Sequence, residues 1–231
     1  MPDMNSVTNM YDASKPYVIV CEGIDDENFL RAYLRYLTKQ GVINGKEYNI
    51  WKVNGIDNMK SEMKNYKKYD GYAYMKSFLF ICDGDTNADA ASSSLIDHIS
   101  RNWNINLDSK GDLIEDESGV KVGFYIMPGL GESGTYRNGA LEDLCLDVLD
   151  TGIEMETYDL IECIREYMDK LEQKRGKGWK RPHKNRLHLA LSSTDAFAGD
   201  KLGQAAIKGA FDFSGDAMAE LRSKIMEMQK N

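Results

Sequence analysis

The chain has 231 residues, 42% of them hydrophobic and 29% charged, which suits one large or two small domains of an ordinary globular protein. Its formal net charge of −8 argues against a general nucleic-acid binder, because phosphates are drawn to basic surfaces. Its apolar runs fall far short of the ~20 residues of a membrane span, and the polar residues 1–15 lack the apolar stretch of a secretory signal.

Residues 1–15 read as a flexible arm. The β-branched run "YVIVC", Tyr17 to Cys21, predicts a buried strand. A helix is expected next, with Asp25 as N-cap and Asp26 and Glu27 at the positive end of its dipole. Its apolar stripe, Phe29, Leu30, Tyr33, Leu34 and Leu37, runs to a stop at Gly41. "YNIWKV" predicts a second strand, residues 56–69 a basic helix, residues 78–82 a third strand and residues 88–102 another helix. An acidic loop or hairpin over residues 111–119 leads to a fourth strand, "VGFYIM", stopped by Pro128. A glycine-rich loop and a helix over residues 140–149 follow. Everything expected beyond Met155 is helical, over residues 158–173, 183–192 and 216–229.

Strand–helix alternation through the first 150 residues means βαβ units. The fold class is therefore α/β, a mainly parallel sheet of about four strands flanked by helices. Residues 16–152 form that domain, and residues 153–231 a helical C-terminal extension packed on it. The cysteines Cys21, Cys82, Cys145 and Cys163 are widely spaced, with no CxxC pair. They support neither a disulfide framework nor a zinc knuckle, and fit a reduced, cytoplasmic setting.

In such a sheet, ligands bind at the carboxyl ends of the strands. Glu22 follows the first strand, Asp83 and Asp85 of "FLFICDGDT" end the third, and Glu142 opens the helix after the fourth. All can gather on one edge. Asp83 and Asp85, two apart in extended backbone, project to the same side and can share an ion, with Gly84 leaving room for close approach. Asp26 lies one helical turn from Glu22. Oxygen-only ligands select hard cations, here Mg2+ or Mn2+, as one or two ions. Taken singly, each signal also has a bland reading: Asp-Gly is turn chemistry, and acids at helix starts serve the dipole.

The acidic average conceals a basic run. "KRGKGWKRPHKNR", residues 174–186, holds seven lysines and arginines and no acid. Gly176, Gly178 and Pro182 keep it out of a helix. Lys177, Lys180, Arg181 and Lys184 are candidate contacts to nucleic-acid phosphate, and Trp179 can stack on a base. The plain alternative is a solvated loop whose charge only aids solubility.

"VIVCEGIDDENFL" followed by "FLFICDGDT" resembles the Toprim domain, in which an apolar strand and Glu-Gly precede a strand ending in Asp-x-Asp. That domain occurs in topoisomerases, primases, small recombination proteins and the overcoming-lysogenisation-defect (OLD) family nucleases. Glu22, Asp83 and Asp85 match its signature acids. Asp26 and Glu142 look like the additional acids of the OLD-type subgroup, and Lys184, with Lys201 as substitute, looks like its downstream lysine. The layout of residues 17–225, including "FYIMPGLGESG" and "GALEDL", is similar to an uncharacterised bacterial Toprim-like family. The resemblance implies a Toprim-like (Rossmann-like) fold and metal-dependent phosphoryl transfer on nucleic acid, foremost a nuclease. Asp83, Asp85 and Glu142 would hold the metal, Glu22 would act as ligand or general base, and Asp26 would support a second ion. No ATPase domain, zinc ribbon or winged helix accompanies the core, so substrate delivery by a protein partner is also expected.

Two other functions compete. One is a catalytically silent Toprim-like module that binds nucleic acid or a partner in a defence or DNA-processing system. The other is a haloacid-dehalogenase-type phosphatase, since "ICDGDT" resembles that family's first motif, with Asp83 as nucleophile and Asp85 as general acid. The GxGxxG match at Gly129–Gly134 lacks the following helix that a dinucleotide pyrophosphate needs, and reads as a mobile loop beside the acids. His98, His183 and His188 have no metal-ligand spacing.

Overall fold

A computed structural model describes residues 15–69, 71–150 and 157–230. Residues 1–14 of the expected N-terminal arm and the boundary at residues 152–153 lie outside the described residues. The strands β1 (Tyr17–Cys21), β2 (Tyr48–Lys52), β3 (Ser77–Asp83), β4 (Ile114–Glu115) and β5 (Lys121–Met127) form one sheet in the order β2-β1-β3-β5-β4. The first four neighbours in that order pair in parallel, and only β4 runs antiparallel, against β5. The expected four parallel strands are present. The fifth is the short arm of the acidic hairpin, too brief to carry a strand pattern of its own.

Register explains why β1 and β3 read as unbroken apolar runs: both of their faces are covered. Val20 stands beside Trp51 and Phe80, and Phe80 beside Phe124, so these side chains share one face. There Phe78, Phe80 and Trp51 pack with Tyr66 at the end of α2 (Ile56–Tyr66) and Trp103 at the end of α3 (Ala88–Trp103). Burying each such ring contributes roughly 1.5–3 kcal/mol. The opposite face, with Ile19, Leu79 and Tyr125, meets α1 (Ile24–Lys39) and the C-terminal helix α8 (Ala219–Glu227). Hydrogen bonds fix that contact. Tyr48 Oη donates to the Ile225 carbonyl at 2.8 Å, and Ser77 Oγ to that of Met228 at 3.3 Å.

The remaining helices are α4 (Leu141–Asp147), α5 (Thr157–Arg175), α6 (Pro182–Ser192) and α7 (Leu202–Lys208). Pro182 opens α6 at a position where its missing N–H costs nothing. Helix α7 has no counterpart in the sequence expectations. It is only seven residues long and rests on α1, where a side chain at Gly203 would meet Asn28 Cβ at 2.6 Å. One hydrophobic cluster runs from Val18 and Phe80 through Leu187, Leu221 and Ile225, so the C-terminal helices share the core of the sheet. Among the described residues no helix is long and apolar enough to cross a membrane. Cys21, Cys82, Cys145 and Cys163 are all free.

The cap of α1 differs from expectation. The helix begins one residue before Asp25, with Gly23 as its N-cap. Asp26 does the capping work instead, its Oδ2 accepting the Gly23 N–H at 2.6 Å.

Candidate active site

From β1 the chain moves to β2 on one side and then returns to β3 on the other. The crevice between the carboxyl ends of β1 and β3 is thus the switch point of the sheet, where ligands bind in Rossmann-like folds. Glu22 follows β1 and Asp83 closes β3, and the two are joined directly: the Asp83 N–H donates to Glu22 Oε1 at 3.1 Å. A cavity of about 380 Å³ opens here. Its acidic wall is Glu22, Asp25, Asp26, Asp83 and Glu142, and Lys184 stands opposite.

Different elements place these side chains, with Asp25 and Asp26 both on α1. Asp83 Oδ1 accepts the Leu141 N–H at 2.9 Å, which locks the end of β3 to the first turn of α4. The next residue of α4, Glu142, is buried and pairs with Lys184 Nζ at 2.9 Å. Its neighbour Asp143 caps α4 through the Ala140 N–H and also bonds His183 Nδ1 at 2.8 Å. Consecutive residues of α6 therefore grip consecutive residues of α4. Gly84 is required by space. A Cβ there would lie 2.8 Å from the Arg137 carbonyl and 3.0 Å from Ala88 Cβ.

The acids raise one another's pKa values. Asp83 is held well above the usual aspartate range by burial, then by the charges of Asp26 and Glu22, with the Leu141 N–H opposing. Burial likewise lifts Glu22, reinforced by Asp26 and Asp85 and opposed by the Asp83 N–H. Asp26 is lifted by burial and by Glu142, while the Gly23 N–H and Lys184 pull it down. The bond to Glu142 raises Lys184 itself, against the effect of burial. Lys184 thus keeps its proton, and its chemistry here is that of a fixed positive charge rather than a base.

Asp85 departs from the expected geometry. Strand β3 stops at Asp83, and Asp85 adopts a left-handed φ of 44°, so the extended spacing that would aim both carboxylates one way is broken. Asp85 is exposed and lies outside the residues that line the cavity, although its charge is felt by Glu22. Asp25, expected only as a cap, lines the cavity instead. A second hollow of about 250 Å³ adjoins the first, sharing Asp25, Glu142 and Lys184 and adding His188 and Lys201.

The basic run is split by structure. Lys177, Lys180 and Arg181 are exposed on the connection between α5 and α6, and Lys184 sits one turn into α6, at the cavity. Trp179 is partly buried against the core, and its Nε1 donates to the Met168 carbonyl at 3.2 Å. The Arg175 guanidinium lies 4.3 Å from its ring centroid, so one of the faces a base would use is already covered. The loop at Gly129–Gly134 is tied down by the Gly131 N–H, which donates to the Thr135 carbonyl at 2.8 Å, and by the Leu130 N–H, which donates to Glu220 Oε2 at 2.9 Å.

A family model described as "Protein of unknown function (DUF3226)" matches residues 16–224. The chain belongs to that family. No curated protein and no solved structure matches it. In this DUF3226 chain the donor chemistry at the switch point, carboxylate oxygens alone, suits a hard divalent cation. Spacing is less accommodating: among the described residues no three His, Cys, Asp or Glu side chains stand close enough to hold one ion together.

Proposed function

We propose that this chain is a Toprim-like protein that performs divalent-metal-dependent phosphoryl transfer on nucleic acid, as a nuclease. The observation that carries this reading is the convergence of Glu22, Asp26, Asp83 and Glu142, from β1, α1, β3 and α4, on one cavity at the switch point of a parallel sheet. Asp83 and Glu142 would hold Mg2+ or Mn2+, with Glu22 as a further ligand or general base and Asp26 supporting a second ion. These carboxylates would have to rearrange to share one ion, since among the described residues no three stand close enough to hold it together, and Asp85 would need to turn inward to join them. A bound ion would supply Lewis-acid stabilisation of charge on the transferring phosphoryl group.

The chain's own groups do the rest. Lys184, fixed as a cation at the cavity wall, offsets the acidic wall where a phosphate must enter. Lys177, Lys180 and Arg181 on the approach to α6 give the strand's phosphates a path towards it. The phosphatase alternative needs Asp85 beside Asp83 as a general acid, and Asp85 lies outside the cavity lining. A silent binding module is favoured over the nuclease by one feature, the Lys184–Glu142 ion pair, since a lysine on a ligand carboxylate competes with a cation.

The test is cleavage of end-labelled single-stranded DNA, duplex DNA and RNA with Mg2+, Mn2+ or chelator. Metal-dependent cleavage that is lost in Asp83→Asn and Glu22→Gln supports the nuclease. Strand binding without cleavage under every metal condition selects the silent module.

A further inference from the structure

Along the C-terminal half of α1 lies a separate cavity, of about 440 Å³ and opposite in character to the acidic one. Its charged lining is Lys15, Arg31, Arg35, Lys39 and Lys46, with no acidic residue among the lining side chains. In a chain of net charge −8 this is a marked local reversal of sign. The arrangement follows from helix geometry. Arg31, Arg35 and Lys39 recur every four residues, so they form one stripe on α1, spaced about 6 Å apart along its axis. Lys46 lines the cavity from the turn before β2, and Lys15 from the segment just before β1.

Arg31 is engaged by Glu27 at 2.7 Å. Arg35, Lys39 and Lys46 form no ion pair among the described residues, and their side chains are exposed. The floor between them is apolar, built from Leu34, Tyr48 and Ile50, all buried. Exposed cations around an apolar floor match a ligand with several phosphates and a flat, poorly hydrated body. The residues of α1 that line this cavity, Arg31 to Lys39, lie five to thirteen residues beyond Asp26, or about 8–20 Å along the helix axis, and no residue lines both cavities. Its chemistry therefore does not depend on the carboxylate site or on the reaction proposed there.

The geometry points to a second ligand site, for closely spaced phosphate groups carried on a nucleotide or a nucleic-acid strand. Free nucleotide and strand share the recognised chemistry, and the cavity volume lies within the range of small-molecule sites.

The test measures binding of tripolyphosphate and ATP by calorimetry and of a labelled twelve-nucleotide single strand by fluorescence anisotropy. Proteins compared are the wild type, Arg35→Glu/Lys46→Glu, and Lys64→Glu/Lys68→Glu as an equal charge change on a surface outside both cavities. All four altered side chains are exposed, and matching circular dichroism and melting curves establish that the variants fold. The site predicts that Arg35→Glu/Lys46→Glu weakens tripolyphosphate and ATP, or the strand, at least tenfold. Loss for tripolyphosphate and ATP alone assigns a free nucleotide. Loss for the strand, with its log–log salt slope reduced by about 1.4 for two phosphate contacts, assigns a nucleic acid. The Lys64→Glu/Lys68→Glu protein keeps its affinity for every probe. Equal affinity of wild type and Arg35→Glu/Lys46→Glu for every probe, or no binding below 1 mM for any, overturns the site and leaves these charges as guards of the β2 edge, which lysines protect from stray strand pairing.

Discussion

Replacing Lys184 by methionine tests how α6 is bound to the acidic edge. The ion pair with Glu142 is 2.9 Å long, with the glutamate side chain 8% exposed and the lysine 43%. At an effective dielectric of about 20, two unit charges at that distance attract by about 6 kcal/mol before any opposing cost. Exposure of the lysine, screening and the ordering of a long side chain remove most of that, leaving about 1.5–2 kcal/mol. Lys184→Met also strands a buried carboxylate beside Asp26, so its loss should reach about 2–3 kcal/mol. Glu142→Gln should cost less, because it relieves the repulsion that lifts Asp26. Urea denaturation of wild type, both single variants and the double variant at pH 7 gives the coupling energy, expected near 1.5 kcal/mol, or about 3–6 °C in melting temperature. The Lys184 pKa is raised, so its contribution is fully present below the unfolded lysine value of about 10.4 and lost only as pH rises through the higher folded value. Coupling should therefore be flat between about pH 6 and 9. A coupling below about 0.3 kcal/mol at pH 7 would refute the ion pair as the tie between α6 and α4.

Asp83→Asn should raise the metal-free stability at pH 7, because a raised aspartate pKa means that the folded state disfavours the charge. Wild-type stability from this group falls as pH climbs from about 4, and the variant lacks that fall, as melting curves across pH will register. Asp116→Asn should do the reverse: burial is outweighed there by the Ser118 hydroxyl, Lys67 and the Val120 and Ser118 N–H groups, which lower the aspartate pKa. Its stabilisation exists above about pH 4 and disappears as pH falls through the lower folded value, so the variant should lose about 1–3 kcal/mol at pH 7 and little at pH 2. Changing Lys177, Lys180 and Arg181 to alanine should reduce the log–log salt slope of single-strand binding by about 2 and leave melting unchanged, if this connection carries phosphate.

Much of the acidic edge was legible because it breaks a pattern. Buried parallel strands read as unbroken apolar runs, so a charge placed where such a run ends stands out, as Glu22 and Asp83 do. Asp85 stands out equally in sequence, yet one left-handed residue turns it from the cavity, and no pattern of side chains encodes that φ. Asp25 was hidden by a local explanation, since an acid in the first turn of a helix already has a reason to be there. The paired grips of Glu142–Lys184 and Asp143–His183 join residues about forty apart, beyond the reach of periodicity. Trp179 reads in sequence as a ring able to stack on a base, but its N–H donates to the carbonyl of Met168 and its ring packs against the core. Helix α8 was legible as a helix. Its place against the sheet depends on Tyr48 and Ser77, polar groups that meet its carbonyls only after the chain has folded back.

Anomalous diffraction from a crystal soaked in Mn2+ addresses the acidic cavity itself. Occupation as proposed predicts a peak between Asp83 and Glu142, with Glu22 turned towards it and Lys184 displaced from Glu142. A crystal with no peak in this cavity at millimolar Mn2+, and the Lys184–Glu142 pair still closed, would contradict a metal-dependent site on these residues.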